Sequence, residues 1–147
     1  MFPFMMSLFA TMLIVLLNLQ QPNLQSQQQM TAADVIAANF WSYQQSVGAY
    51  VFSHPTASGV IPDANLTFQE GYIRGPQWTN TVSNGVLYTY STAVLQPGVI
   101  NAIGRRGGMA MIIGTASAGT MTSLTNAATG FVLPNGVANG ALVVIGN

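Results

Sequence analysis

The sequence predicts an α+β protein: an N-terminal transmembrane helix, then an amphipathic helix packed on a small antiparallel sheet. Three observations carry this. Phe2 to Leu19 is an uncharged apolar run, Ile36 to Tyr50 carries an aromatic stripe at helical spacing, and from Thr56 onward short β-prone runs alternate with Gly, Pro and Asn turn signals. The expected organisation is an anchor at 1–19, a Gln-rich linker at 20–30 and one domain at 31–147.

In the first segment, 18 residues in a helix span about 27 Å, close to the ~30 Å hydrocarbon core of a bilayer. Phe4, Leu8, Phe9, Leu13, Ile14, Val15, Leu16 and Leu17 form the body of the anchor. Each contributes roughly −0.3 to −0.6 kcal/mol to insertion near the helix centre, and no charge opposes them. A cleaved secretory signal would carry a basic leader and a small-x-small cleavage site, and Asn18-Leu-Gln-Gln-Pro-Asn23 offers neither. A buried core helix would be apolar on one stripe, whereas this run is apolar all round.

Gln20 to Gln29 contains a single Pro, Pro22, and fits a linker or a Pro-broken helical stalk. Thr31 to Phe52 is the amphipathic helix. Thr31-Ala-Ala-Asp34 has the form of a capping box, and Asp34 is assigned to the helix cap. Ile36, Phe40, Tyr43, Val47 and Tyr50 recur at intervals of four, three, four and three, which places them on one face. That stripe fits a core face better than a ligand box. His54-Pro55 ends the helix.

Next, Ser58-Gly59 and Ile61-Pro62-Asp63 make a loop. Trp78–Val82 and Val86–Tyr90 flank Ser83-Asn84-Gly85, and Asn-Gly between two β-prone runs is the strongest short-range hairpin signal. Gln96-Pro97-Gly98 is a turn, and Val99–Ile103 fits a short helix. Met109–Ile113 is a strand with Met109 and Met111 facing the core, and Thr120–Ala128 is ambiguous. Phe131–Leu133 and Ala141–Ile145 are the last strands, separated by Pro134-Asn135-Gly136 and Asn139-Gly140.

Composition narrows the function. Three Arg, three acids and no Lys make 4% charged residues, against ~25% in an ordinary soluble chain. No basic stripe is present to neutralise phosphates, so nucleic acid is not an expected partner. No Cys is present, which removes disulfides, thiolate metal sites and a Cys nucleophile. The ionisable groups (Asp34, His54, Asp63, Glu70, Arg74, Arg105, Arg106) show no short metal-ligand spacing and no nucleophile elbow. The expectation is no enzyme, no metal, no cofactor and no small-molecule substrate. Glu70 and Arg74 would form a surface pair if their stretch is helical. Arg105 and Arg106, ahead of Gly107-Gly108, are placed on a flexible turn, which fits a solvated loop first and, as the functional alternative, a contact for an acidic partner or lipid headgroups. Ala141–Ile145, with Val143 and Ile145, is taken as an exposed edge strand to which a partner strand could pair.

The aromatic helix at Tyr43–Tyr50, Val60-Ile-Pro-Asp63, Trp78 with Asn84-Gly85-Val86-Leu87-Tyr88-Thr89-Tyr90, and the ending Val132-Leu-Pro-Asn-Gly136 through Gly140-Ala-Leu-Val-Val-Ile-Gly146 together resemble the small PilM proteins of type IVB (thin) pilus systems, known from conjugative plasmids and related gammaproteobacterial clusters. The resemblance is not to the cytoplasmic actin-like proteins of the same name. It implies a single-pass protein of the bacterial inner membrane, at the pilus base or in pilin transport, with other pilus assembly proteins and membrane lipid as partners and no catalytic residues. The domain is expected in the periplasm. Two other readings stand beside it: a minor pilin or filament subunit, although a basic leader with a Gly cleavage point and a nearby Glu is absent, and a secreted structural domain with a cleaved signal.

Overall fold

A computed structural model describes the backbone of residues 2–107 and 112–146, and side chains from Gln27 onward. The anchor residues Phe4, Leu8, Phe9, Leu13, Ile14, Val15, Leu16 and Leu17 therefore lie outside the residues whose side chains are described, and Met109 and Met111 lie outside altogether. Among the residues whose side chains are described, from Gln27 onward, no helix is long and apolar enough to cross a membrane.

The first helix, α1, runs Phe2–Ser53, through Pro22 and the Gln-rich segment. The expected restart at Thr31 does not occur. The Thr31 hydroxyl donates to the Gln27 carbonyl at 2.9 Å, the back-bond of a threonine inside a helix rather than an N-cap. Asp34 is accordingly no cap, and its carboxylate pairs with Arg105 instead. The C-terminal stop falls where expected. His54 N–H closes onto the Tyr50 and Val51 carbonyls at 3.0 and 3.1 Å, and Pro55 follows.

After a 3₁₀ turn at Asp63–Asn65 come β1 (Trp78–Ser83), β2 (Val86–Val94), α2 (Pro97–Arg106), β3 (Ile112–Ser117), β4 (Thr120–Ser123), β5 (Ala128–Val132) and β6 (Ala141–Gly146). The strands form one sheet in the order β1-β2-β6-β3-β4-β5, and every pair is antiparallel. The β1–β2 turn has φ 54° at Asn84 and 77° at Gly85, the left-handed pair that a type I′ hairpin requires. Ala118 and Gly119 repeat it between β3 and β4 with φ 47° and 76°.

The strand expected at an edge is at the centre. In β6, Val143 lies opposite Tyr90 of β2 on one side and Gly114 of β3 on the other, and Ile145 lies opposite Tyr88 and Ile112. Val143 is 0% exposed and Ile145 6%. A strand buried on both faces reads as a continuous apolar run, which Ala141-Leu-Val-Val-Ile145 is.

Alternation along these strands separates two cores. Leu87, Leu142 and Val144 face α1, where Phe40, Tyr43 and Val47 are fully buried, with Ile36 and Tyr50 half-buried beside them. Phe40 meets the ring of Trp78 edge-on at 4.9 Å. On the opposite face Tyr88, Tyr90, Val143 and Met121 pack with Leu133 of the connection into β6. Gly114 is required by close packing, since a Cβ there would run into the Thr122 backbone of β4.

Gln44, on the buried side of α1, is 2% exposed, and its Oε1 has no hydrogen-bond partner among the described residues. An unpaired buried acceptor costs about 1–3 kcal/mol. Gln44→Met is of similar length and removes it. The expected outcome is a gain of about 1 kcal/mol in denaturant unfolding of the full chain; a loss of stability would show that Gln44 has a partner in solution.

Candidate partner-binding surface

The groups that could meet a partner cluster where α2 lies against α1. Pro97 suits the first turn of α2, where its missing N–H is not needed. Arg105 and Arg106 occupy the last turn, where cations offset the negative end of the helix dipole. They are thus part of a helix end rather than a flexible turn. Val99, Ala102 and Ile103 form the buried side of α2. Trp41 Nε1 donates to the Ile103 carbonyl at 3.2 Å. Gly107 lets the chain leave α2 close to Trp41, where a Cβ would lie 2.7 Å from the indole.

An open trench of about 660 Å³ lies between the 29–36 stretch of α1 and residues 96–105, which include most of α2. Its lining is chiefly apolar, from Met30, Ala33 and Ile36 on one side and Pro97 and Val99 on the other, with Gln96, Asn101 and Arg105 adding polar groups. Arg105 Nη2 is 3.3 Å from Asp34 Oδ1, and both side chains are largely exposed, so the pair contributes roughly 0–1 kcal/mol. Its importance is chemical: the one cation lining the trench is neutralised by its neighbour. Arg106 is exposed and forms no ion pair among the described residues.

The sheet edges offer less than expected. Val143 and Ile145 have both flanks paired, so β6 presents no edge to a partner. The β1 edge is covered by its own chain. Gly59 and Val82 exchange two backbone bonds of 2.8 Å, and the Asn80 side-chain amide both donates to and accepts from the Ile61 backbone at 3.0 and 2.9 Å. The β5 edge has no partner strand among the described residues, but its register to β4 shifts, and Gly130 has φ +75°. Such a bulge twists an edge away from further pairing.

The PilM family matches residues 6–145. The chain belongs to the PilM family. A crystal structure of a PilM protein from Escherichia coli B7A superposes with a TM-score of 0.64 at 18% identity, covering 80% of this chain and 94% of that one. One of a PilM protein from Pseudomonas aeruginosa 2192 gives 0.48 at 21%, covering 76% and 92%. No curated protein matches the sequence. The E. coli likeness shows that the PilM fold is shared.

For a PilM-family chain, the remaining polar groups are explained by architecture. Asn39 is the fastening point that sequence reasoning missed. Its Oδ1 accepts from Trp78 Nε1 at 2.9 Å, Gly75 N at 3.3 Å and Tyr72 Oη at 3.4 Å, while Nδ2 donates to the Ile73 carbonyl at 2.7 Å. Arg74 pairs with Asp63, not Glu70, because the stretch between them is not helical. Its Nε is 2.8 Å from Asp63 Oδ2 without the alignment of a hydrogen bond, so that contact is Coulombic. Arg74 Nη2 donates to the Trp78 carbonyl at 2.7 Å, and the guanidinium lies 5.2 Å from the Tyr43 ring centre. His54 stacks on Tyr50 at 4.2 Å and lies 3.0 Å from Ser53 Oγ, with no carboxylate in that contact set. No group of three metal-ligating side chains occurs among the described residues.

Burial pushes the Tyr72 phenol up from its ordinary 10.0 to about 12, against the lowering effect of Arg74. Burial raises Tyr90 as well. The folded chain therefore keeps protons that the unfolded chain releases. The stability this gives is complete below pH 10 and is lost as pH rises through about 12. Tyr72→Phe should lose stability less steeply than the parent between those limits in alkaline unfolding followed by circular dichroism; identical slopes would show that Tyr72 titrates normally.

Proposed function

We propose that this PilM-family protein is a bitopic inner-membrane component of a type IVB pilus biogenesis apparatus, serving pilin transport or the pilus base. Membership of the family connects it with a pilus system. The observation that carries the finer reading is the continuity of α1. The helix that begins in the apolar, uncharged Phe2–Leu19 run is the same helix whose aromatic face seats the domain. Anchored in lipid, it would hold the domain at the bilayer and confine its search for partners to two dimensions. The domain acts by contacts with other pilus proteins, in the periplasm, without catalysis. The family match begins at residue 6, inside the apolar run, which supports treating run and domain as one functional unit.

The same continuity favours a second reading, a subunit of a pilus-like filament with α1 packed among other apolar helices rather than in lipid. The two separate in one experiment. Cells that express the pilus cluster are sheared, and membranes are then washed at alkaline pH. The inner-membrane reading expects the intact chain to stay in membranes until detergent is added and to be absent from sheared pili. Recovery in sheared filaments would favour the subunit. Release into the wash without detergent would remove both. Mass spectrometry of the mature N-terminus completes the test, because a chain starting near Gln20 has no anchor.

A further inference from the structure

We propose that copies of this chain associate side by side and head to tail, the outer face of one α1 lying in the trench between α1 and α2 of the next. This rests on the membrane reading only in that a shared bilayer would align neighbouring α1 helices in parallel at the same depth. The first observation is the trench. It is open, chiefly apolar and closed to charge by the Asp34–Arg105 pair. An uncharged helix face suits it as occupant, because an unpaired charge buried there would be costly.

The second observation is the outer face of α1. Gln28, Thr31, Val35, Ala38, Ser42 and Gln45 lie on the side of the helix turned away from the buried Ala33, Ala37, Phe40 and Val47. A solvent-facing helix surface normally carries charged residues. This one carries none, and Val35 is 65% exposed at its middle. The third observation is what precedes it. No ionisable side chain occurs from Phe2 to Ala33, and Gln27 to Ala32 are all exposed, so no element covers the 27–32 stretch of α1 among the described residues. Parallel copies at one depth put Val35 of one level with Met30, Ala33 and Ile36 of the next. The two surfaces lie on different sides of α1, so the contact is heterologous. It can repeat along a ring or a row, as a pilus base or a filament would require.

The absence of cysteine makes the test clean. Val35→Cys and Asn101→Cys are made in separate full-length copies, co-expressed and oxidised in intact cells. Asn101 lines the trench and is exposed. The expected result is a disulfide between residues 35 and 101 of different copies, at least tenfold more abundant than the dimer from either variant alone. Equal linking by Val35→Cys alone would mean a symmetric pairing of outer faces and would overturn the proposal, as would no link at all. Independently, Val35→Arg should convert the detergent-solubilised chain from a multi-copy to a single-copy species on size exclusion, with unchanged melting because the site is exposed. An unchanged size overturns the contact. The link is read in whichever cell fraction holds the chain. A chain released without detergent that still links 35 to 101 would overturn the membrane placement and leave the contact standing.

Discussion

The aromatic face of α1 seats on the sheet, and this packing sets the position of every other element. Phe40, Tyr43 and Val47 fill the space above Leu87, Leu142 and Val144, and the Phe40–Trp78 edge contact fixes where β1 begins. Polar bonds then lock this packing at chosen points. Asn39 holds the loop before β1, and Tyr43 Oη accepts from Asn80 Nδ2 at 2.8 Å, joining the helix to the strand edge and, through Asn80, to Ile61. A chain with 4% charged residues has few ion pairs to give its fold specificity. The half-buried Asn39 and the buried Asn80 take that role here with directed side-chain bonds, and they do so without the desolvation cost of a buried charge.

The same seating determines which surfaces remain for partners. Because the sheet is covered by α1 and α2 on one face and packs with Leu133 on the other, its central strands are withdrawn from contact. One edge is closed by Gly59–Ile61, and the other is bulged at Gly130. What remains is helical: the uncharged outer side of α1 and the trench beside α2. Recognition by helix surfaces suits a chain whose apolar segment and domain share a helix, since under the proposed anchoring position along α1 would set height above the membrane at about 1.5 Å per residue.

Much of the fold is legible in the sequence because local signals and tertiary demands agree. The stripe from Ile36 to Tyr50 has one reading at helical period, and Asn84-Gly85 supplies the left-handed pair its hairpin needs. Where local signals are weak, the reading stops. Ala118-Gly119 forms the same turn, but an alanine in the left-handed region carries no sequence signal and costs roughly 1–2 kcal/mol that the sheet must offset. The strand β6 is legible as a strand but not as the centre of the sheet, because chain order says nothing of its insertion between two hairpins. Its unbroken apolar run, in place of alternation, was the available clue. Thr31 shows the opposite failure: a capping motif is overridden when the preceding residues are already helical. The trench depends on residues nearly seventy apart, Met30 and Val99, and no local pattern brings them together.

One unbroken helix, α1, joins the apolar segment to the domain. The chain has no cysteine, so spin labels can be placed only where chosen, at Gln25→Cys and at the exposed Gln45→Cys, and their separation measured by double electron–electron resonance in lipid nanodiscs. Twenty residues of continuous helix give about 30 Å between backbones and a narrow distribution. A broad distribution, or a markedly shorter mean, would place a joint between anchor and domain and contradict the account.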